Sequence, residues 1–392
     1  MQEIGARIKA LRGKLLTQQQ LADAASVSVD VIRKLEQGTR KTAAIGTLTK
    51  IARALDVSLP ELLGQRASVP TGEADGGVVA LRQALSPVDD LIGDITGEPI
   101  TLDDARRAVD YAWSAYWGGQ YDHLATILPS TLPQLRATMH AADAAQRSAV
   151  AELLARAYWV TGCTLVHLGQ TDIAWQSIRL AHDTSGHGSD ELLAATIRGS
   201  IAWQLLVQGR YDESHRVAVR TAETIEPRGD VPLPHLSAYG SLIITAATAS
   251  GRARRVGEAQ HLVSQATAVA GRMGVDRHDY ETYFGPSQVV MQTVDVGVVT
   301  EDYAGALDAA KRMPRGTTLP LASRCRHLAD QALAHARLGH AQQAVDALLT
   351  AESMGPDWIR HQTLPRRIVG ELLERDRQSR LRSLARRLSV TG

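Results

Sequence analysis

The sequence predicts an all-α protein in two parts, a compact N-terminal bundle of short helices and a much longer array of helices after it. Three observations carry this. Ala and Leu recur at three- and four-residue spacings along the whole chain. Strand signals are scarce, because β-branched residues are scattered and aromatic residues make up only 4% of the chain. The helical pattern breaks at one stretch of Pro, Gly and small polar residues, ASVPTGEADGG at residues 67–77, which reads as a linker between residues 1–66 and 78–392. A length of 392 residues suits two or three domains with sizeable cores, and 44% hydrophobic with 22% charged residues excludes a disordered or fibrous chain.

The first part opens with Ile4, Ile8 and Leu11 on one helical stripe. Thr17 then caps a second helix, TQQQLADAA, with Gln20 at the position that completes a capping box. A turn at Ser26 and Val27 leads to a third helix, SVDVIRKLEQG, which Ser28 caps and Gly38 ends. A fourth helix, AIGTLTKIARALDV, and a short fifth, SLPELLG, follow. With Leu21, Ala22, Val27, Ile32 and Leu35, and then Leu48, Ile51, Ala52, Leu55 and Leu62, facing inward, these five helices form a helix-turn-helix domain.

The pattern LR…LTQ-x-x-LA-x-x-x-x-VS-x-x-x-I-x-x-x-E-x-G…L-x-x-IA-x-AL-x-V resembles the phage-repressor (XRE-type) helix-turn-helix family over about one sixth of the chain. Two departures stand out: the loop before Thr17 is one residue short, and Ser26 replaces the Gly usual in the turn, so Ser26 must accept a positive φ or shift the turn. The resemblance implies that the helix from Ser28 enters the major groove with Val29, Asp30, Arg33 and Lys34 toward base edges. Arg33 and Lys34 would donate to guanine, Asp30 would accept from cytosine, and Val29 would pack on a thymine methyl. Thr17, Gln18, Arg40 and Lys41 would hold phosphates. Arg12 and Glu36 match a family pair that ties the first helix to the end of the recognition helix, a structural role. Operators of this family are two-fold, which implies a homodimer on double-stranded DNA.

Charge fits that partner only when counted by domain. The whole chain has a formal charge of +1, but residues 1–66 hold 11 basic and 6 acidic side chains and the remainder 32 and 36. A basic head and an acidic body cancel, and five of the six lysines lie in the first 50 residues. The body should be repelled by phosphate, leaving DNA to the head.

Beyond the linker, a Gly followed by a small-residue, Ala-rich helix recurs in GQYDHL from Gly119, GQTDIA from Gly169, GRYDES from Gly209, EDYAGA from Glu301 and GHAQQA from Gly339. This resembles the second helix of a tetratricopeptide repeat, which implies an α-solenoid of degenerate repeats, although intervals of 50, 40 and 38 residues exceed the regular ~34. An unrelated α-solenoid satisfies the same pattern. The last apolar stripe, with Leu372, Leu373, Leu381, Leu384 and Leu388, belongs to a basic helix that reads as a cap on the array.

Stacked helical pairs present a long concave groove, and the combination resembles regulators that join an XRE-type head to a tetratricopeptide-like sensor, including peptide-responsive quorum sensors. Their Asn clamp for a peptide backbone has no counterpart, because the chain contains no Asn; Gln176, Gln204 or Gln288 could substitute chemically. Groove candidates are Trp159, Arg198, Trp203, Gln204 and Tyr239, together with Tyr283 and Phe284 in DRHDYETYFGPSQ, a stretch that breaks the repeat rhythm. Packing between helices accounts for the same side chains. Cys163 and Cys325 form no disulfide or zinc spacing, and His182 with His187 and His335 with His340 lie five apart, a poor same-face spacing for metal. No catalytic or cofactor motif, signal peptide or membrane-length apolar run is evident. The expectation is a cytoplasmic, non-enzymatic, dimeric DNA-binding transcription regulator without cofactor, modulated by a signalling peptide or small molecule. The alternative is a repeat scaffold whose head does not read DNA.

Overall fold

The computed structural model describes residues 4–13, 16–39, 43, 45–55, 73–88, 97–374 and 379–390, and these are mostly helical. They fall into two compact units that divide between Gly76 and Gly77. Residues 67–72 of the expected linker, the fifth helix expected at residues 58–64, Arg40, Lys41, and Arg375 and Arg377 of the basic C-terminal stretch lie outside the described residues.

The first unit contains α1 (Ile4–Arg12), α2 (Gln18–Ala24), α3 (Val29–Glu36) and α4 (Ile45–Ala54). Ile8, Leu21, Ile32, Leu35, Leu48 and Ile51 are its buried centre, with Val27 and Leu55 at the edge. Leu11, which its spacing puts on the first stripe, is instead 38% exposed. The capping box forms as read: the Thr17 hydroxyl accepts from the Gln20 N–H and the Gln20 side chain accepts from the Thr17 N–H. Ser26 takes the positive φ itself, at 51°, and the Val27 N–H closes the turn on the Ala22 carbonyl at 2.9 Å. Ser28 stands at the N-cap of α3, but its side chain makes no capping bond. The Val31 N–H, which a capping hydroxyl would take, donates to the Ser28 carbonyl instead.

α5 (Glu73–Leu85) begins inside the stretch that composition reads as a linker. Its Gly77, which looks like a breaker, is a contact point: a Cβ there would come within 3.0 Å of the Ala125 side chain. Leu81, Ala84 and Leu85 then join the core of the second unit.

Six helical pairs follow: α6 (Leu102–Trp117) with α7 (Tyr121–Ala141), α8 (Arg147–His167) with α9 (Thr171–Ser185), α10 (Glu191–Val207) with α11 (Tyr211–Thr224), α12 (Leu233–Arg252) with α13 (Val256–Met273), α14 (Pro286–Val299) with α15 (Tyr303–Ala310), and α16 (Leu321–Arg337) with α17 (Ala341–Met354). Each pair turns through the same hydrogen-bonded cap. A left-handed residue follows the first helix, and the next N–H reaches back five residues, as in Gln120 to Ala115 (3.0 Å), Gln170 to Leu165 (2.8 Å) and His340 to His335 (2.9 Å). Gly119, Gly169, Gly209 and Gly339 take the left-handed position at φ 74–79°, and Glu301 takes it at 68°. The sixth turn escaped the sequence pattern because Arg254 holds the position, at φ 64°. Replacing Arg254 with Gly is expected to stabilise the repeat unit by about 1 kcal/mol, read as a higher midpoint in a urea melt; its ion pair with Glu301 is exposed and contributes little.

α8 is long and apolar enough to cross a membrane, but 78% of that window is buried inside the protein, so it is a core helix. The array ends with α18 (Pro356–Arg360), α19 (Thr363–Leu373) and α20 (Ser379–Arg387). Leu381, Leu384 and Leu388 of the last segment are buried, while Arg387 grips Glu352 at 2.6 and 2.7 Å and Arg380 reaches Asp346 at 3.0 Å, as a capping helix with a polar outer face requires.

The two ends of the array meet. Trp358 packs against Gly119, where a Cβ would lie 3.2 Å from the Trp358 Cβ, and the Gln362 amide lies 3.3 Å from His167 Nδ1. His361 Nε2 lies 3.4 Å from the Asp122 carboxylate. The last helices thus return to the first pair. The stretch at residues 276–288 carries an antiparallel hairpin, β1 (Arg277–Asp279) with β2 (Thr282–Phe284), which holds the only strands among the described residues.

Candidate functional site

In the first unit, the functional geometry starts from Glu36, at the end of α3. Its carboxylate accepts from Arg12 Nε at 2.7 Å, Arg12 Nη2 at 3.0 Å and Gln18 Nε2 at 2.7 Å, joining all three of α1, α2 and α3. Arg12 also donates to the Leu16 carbonyl at 2.7 Å. Burial opposes the charged form of Glu36, but the hydrogen bonds from Arg12 and Gln18 outweigh it and hold the carboxyl below its ordinary value. The Glu36 side chain is 3% exposed, so this is a buried clamp that fixes α3 against its two neighbours.

On the outer side of α3, Asp30, Arg33 and Lys34 are all exposed. Arg33 has no hydrogen-bond or ion-pair partner among the described residues. Lys34 and Asp30 are not independent: they pair with each other at 2.8 Å, and that bond keeps the Asp30 carboxyl below its ordinary value. Val29 is half-buried and packs against the unit's core. Ser28 and Thr17 are exposed; the Thr17 hydroxyl oxygen accepts its capping bond, which leaves its proton free to donate. The Gln18 side-chain amide is held by Glu36 rather than turned outward.

In the second unit, the first helices of all six pairs contribute to one cavity of about 330 Å³. One wall is aromatic. Trp113, Trp117, Trp159, Trp203 and Trp358 line it, five of the six tryptophans of the chain. Trp113 meets Trp159 edge-on at 4.8 Å, and Tyr121 stacks on His167 at 4.2 Å. Burial pushes the His167 imidazole down to about 3, so it is neutral at any working pH.

The opposite wall carries a closed ion network. Asp295 accepts from Arg252 at 3.2 Å and Arg326 at 2.9 Å, and Arg326 also donates to Asp330 at 3.0 Å. Over the rim sits the hairpin. Phe284 is buried against Gly240, which has no side chain to obstruct the ring, while Tyr283 meets Trp117 at 5.0 Å and stacks on His278 at 4.3 Å. Glu281 is held by Arg156, whose other nitrogen contact is Asp110 at 2.7 Å. Tyr280 and Glu281 both take positive φ, 51° and 56°, in a turn that neither residue favours. Packing and the Arg156 pair impose that backbone, at a cost of about 1–2 kcal/mol per residue.

Of the residues singled out in the sequence, Trp159, Trp203, Tyr283 and Gln288 line this cavity, and four others do not. Phe284 is core, 1% exposed. Gln204 is buried between helices, its amide nitrogen 3.2 Å from where a Cβ on Gly162 would lie. Tyr239 packs on the second core cluster, and Arg198 donates back to the Ala194 carbonyl of its own helix at 3.3 Å. Gln176 ties α9 to the end of α5 through Ser86 at 2.8 Å. The sequence reading missed Trp113, Trp117 and Trp358 and the whole ion network; the i, i+4 spacing of Trp113 and Trp117 was the available signal. His335 and His340 meet, with Nδ1 atoms 3.5 Å apart, because the turn at Gly339 folds one onto the other; the helical-spacing argument did not apply across a turn.

No curated protein matches the chain. The crystal structure of Bacillus thuringiensis PlcR in complex with the peptide PapR7 and DNA is similar over 90% of this chain and 99% of that one, at 12% sequence identity and a TM-score of 0.37. Residues 8–62 match the helix-turn-helix family HTH_3. That span takes in the turn at Ser26, the Glu36 clamp and the exposed face of α3, and the N-terminal part of this chain is a helix-turn-helix domain of the XRE type.

Proposed function

We propose that the chain is a dimeric, sequence-specific transcription regulator of the cytoplasm, in which the helix-turn-helix head reads a two-fold operator and a ligand held in the repeat cavity modulates its affinity. The observation that carries this is the outer face of α3: Arg33 and Lys34 are exposed on a helix that the Arg12–Glu36–Gln18 clamp fixes from behind. A rigid helix with outward Arg and Lys donors is what guanine O6 and N7 require. Asp30, paired with Lys34, would accept from cytosine N4 once that pair opens, and Val29, half-buried, would offer only its edge to a thymine methyl. Thr17 and Ser28, with Arg40 and Lys41, would contact phosphate; Gln18 would do so only by leaving Glu36. The ligand would act through different affinities for the DNA-competent and DNA-incompetent states.

The test is a gel shift of the full chain on DNA upstream of its own gene. Sequence-specific binding should weaken steeply as salt rises, because each neutralised phosphate contributes a slope of about −0.9 in log affinity against log salt. Absence of a shift at low salt would leave the head without a DNA function.

A further inference from the structure

We infer that the repeat cavity takes a small, uncharged, planar molecule of fused or conjugated rings, not an extended peptide; this deepens, and rests on, the reading of that cavity as the ligand site. Three observations converge on it.

The first is size. Trp358 against Gly119 and His361 against Asp122 bring the last helices back to the first pair, Gln362 reaches His167 of the second, and all six first helices line one partly open cavity. An extended peptide needs a groove that continues past its ends, whereas about 330 Å³ lies at the lower end of the ~300–1,000 Å³ found for small-ligand sites.

The second is the wall. Five of the chain's six tryptophans meet at one cavity: Trp117 and Trp203 are part-exposed and offer flat polarisable surface, while Trp113, Trp159 and Trp358, at 2–3% exposed, back them from the core. Such faces favour stacked or edge-on rings.

The third is charge. Arg252, Asp295, Arg326 and Asp330 satisfy one another, and Glu281 is taken by Arg156, so each ionic group named on the lining already has its counter-ion. A charged ligand would lose its hydration with no free charge to receive it. Aromatic rings attract cations, but His167 beside them is neutral and the nearby carboxylates are spent on arginines.

The experiment uses the full chain carrying Trp175→Phe, which removes the one tryptophan outside the cavity lining, so that all tryptophan emission reports on the cavity. The probes are xanthone, its 2-carboxylate, the cationic tricycle proflavine and an equimolar pool of heptapeptides. Xanthone should quench the emission saturably, with a Kd at least tenfold below that of any other probe. By isothermal titration on the otherwise wild-type chain, Trp203→Ala, which removes part of the wall, and Thr245→Trp, which fills the space, should each weaken xanthone at least tenfold; far-ultraviolet circular dichroism identifies any variant that has not folded. Equal or tighter binding of a charged analogue, or xanthone binding untouched by both variants, would overturn the inference. An operator gel shift separates the two levels. If the peptide pool alone binds and changes operator affinity, the ligand class fails and the regulatory reading stands; if xanthone binds in the cavity without changing operator affinity, the class stands and the regulatory reading fails.

Discussion

Replacing Glu36 with Ala should destabilise the helix-turn-helix domain by about 3–5 kcal/mol, because it leaves the Arg12 guanidinium largely buried without its carboxylate and frees the end of α3. Small domains hold only ~5–15 kcal/mol in total, so most of the head's stability is at stake. Hydrogen exchange of the amides in α2 and α3, measured on the full chain, should show protection falling roughly 10²–10⁴-fold, with the repeat unit unchanged. Pairing Glu36→Leu with Arg12→Met should recover much of the loss, since replacing both members of a buried pair by apolar side chains is often neutral. An effect below about 1 kcal/mol would mean the clamp is solvent-screened and does not organise the head. The same clamp sets an acid limit. The Glu36 carboxyl titrates lower in the folded head than in the unfolded chain, so its contribution is complete above the ordinary ~4.3 of a free glutamate and disappears as pH falls through the lower folded value.

The second large effect is on recognition. Arg33→Ala with Lys34→Ala should abolish operator binding while leaving far-ultraviolet circular dichroism unchanged. Both side chains are exposed, and the one partner either has is the equally exposed Asp30, so the fold does not depend on them. Each base contact is worth about 1–3 kcal/mol of discrimination, and losing two amounts to roughly 30-fold to 10⁴-fold in operator affinity. Binding to random DNA should fall far less, because phosphate contacts from other residues remain. Asp30→Ala offers a sharper check within the same pair: freeing Lys34 should raise affinity for random DNA while relaxing the choice of base.

What the sequence made legible is what short-range chemistry decides. The capping box at Thr17 and Gln20, the Arg12–Glu36 pair and the left-handed turns at Gly119, Gly169, Gly209 and Gly339 each depend on a few residues at fixed offsets. Arg254 hid the sixth turn because the preference for Gly at positive φ is only about 1 kcal/mol, which the packing of α12 on α13 overrides. The hairpin was hidden for a similar reason: three-residue strands around Tyr280 and Glu281 lack the Asn-Gly signal that marks such turns. Gly77 was misread because a glycine that breaks a helix and one that lets Ala125 approach look alike in sequence. The closure of Trp358 onto Gly119 joins residues more than 200 positions apart, beyond the reach of any periodicity.

The most direct measurement is genome-wide mapping of the DNA occupied by the wild-type chain in its host, beside the Arg33→Ala, Lys34→Ala variant expressed at the same level. The wild type should occupy discrete sites that share an inverted repeat with half-sites about one helical turn, ~10 base pairs, apart, and the variant should lose them. Sites retained by the variant, or no enriched sites for the wild type, would contradict a regulator that reads its operator through α3.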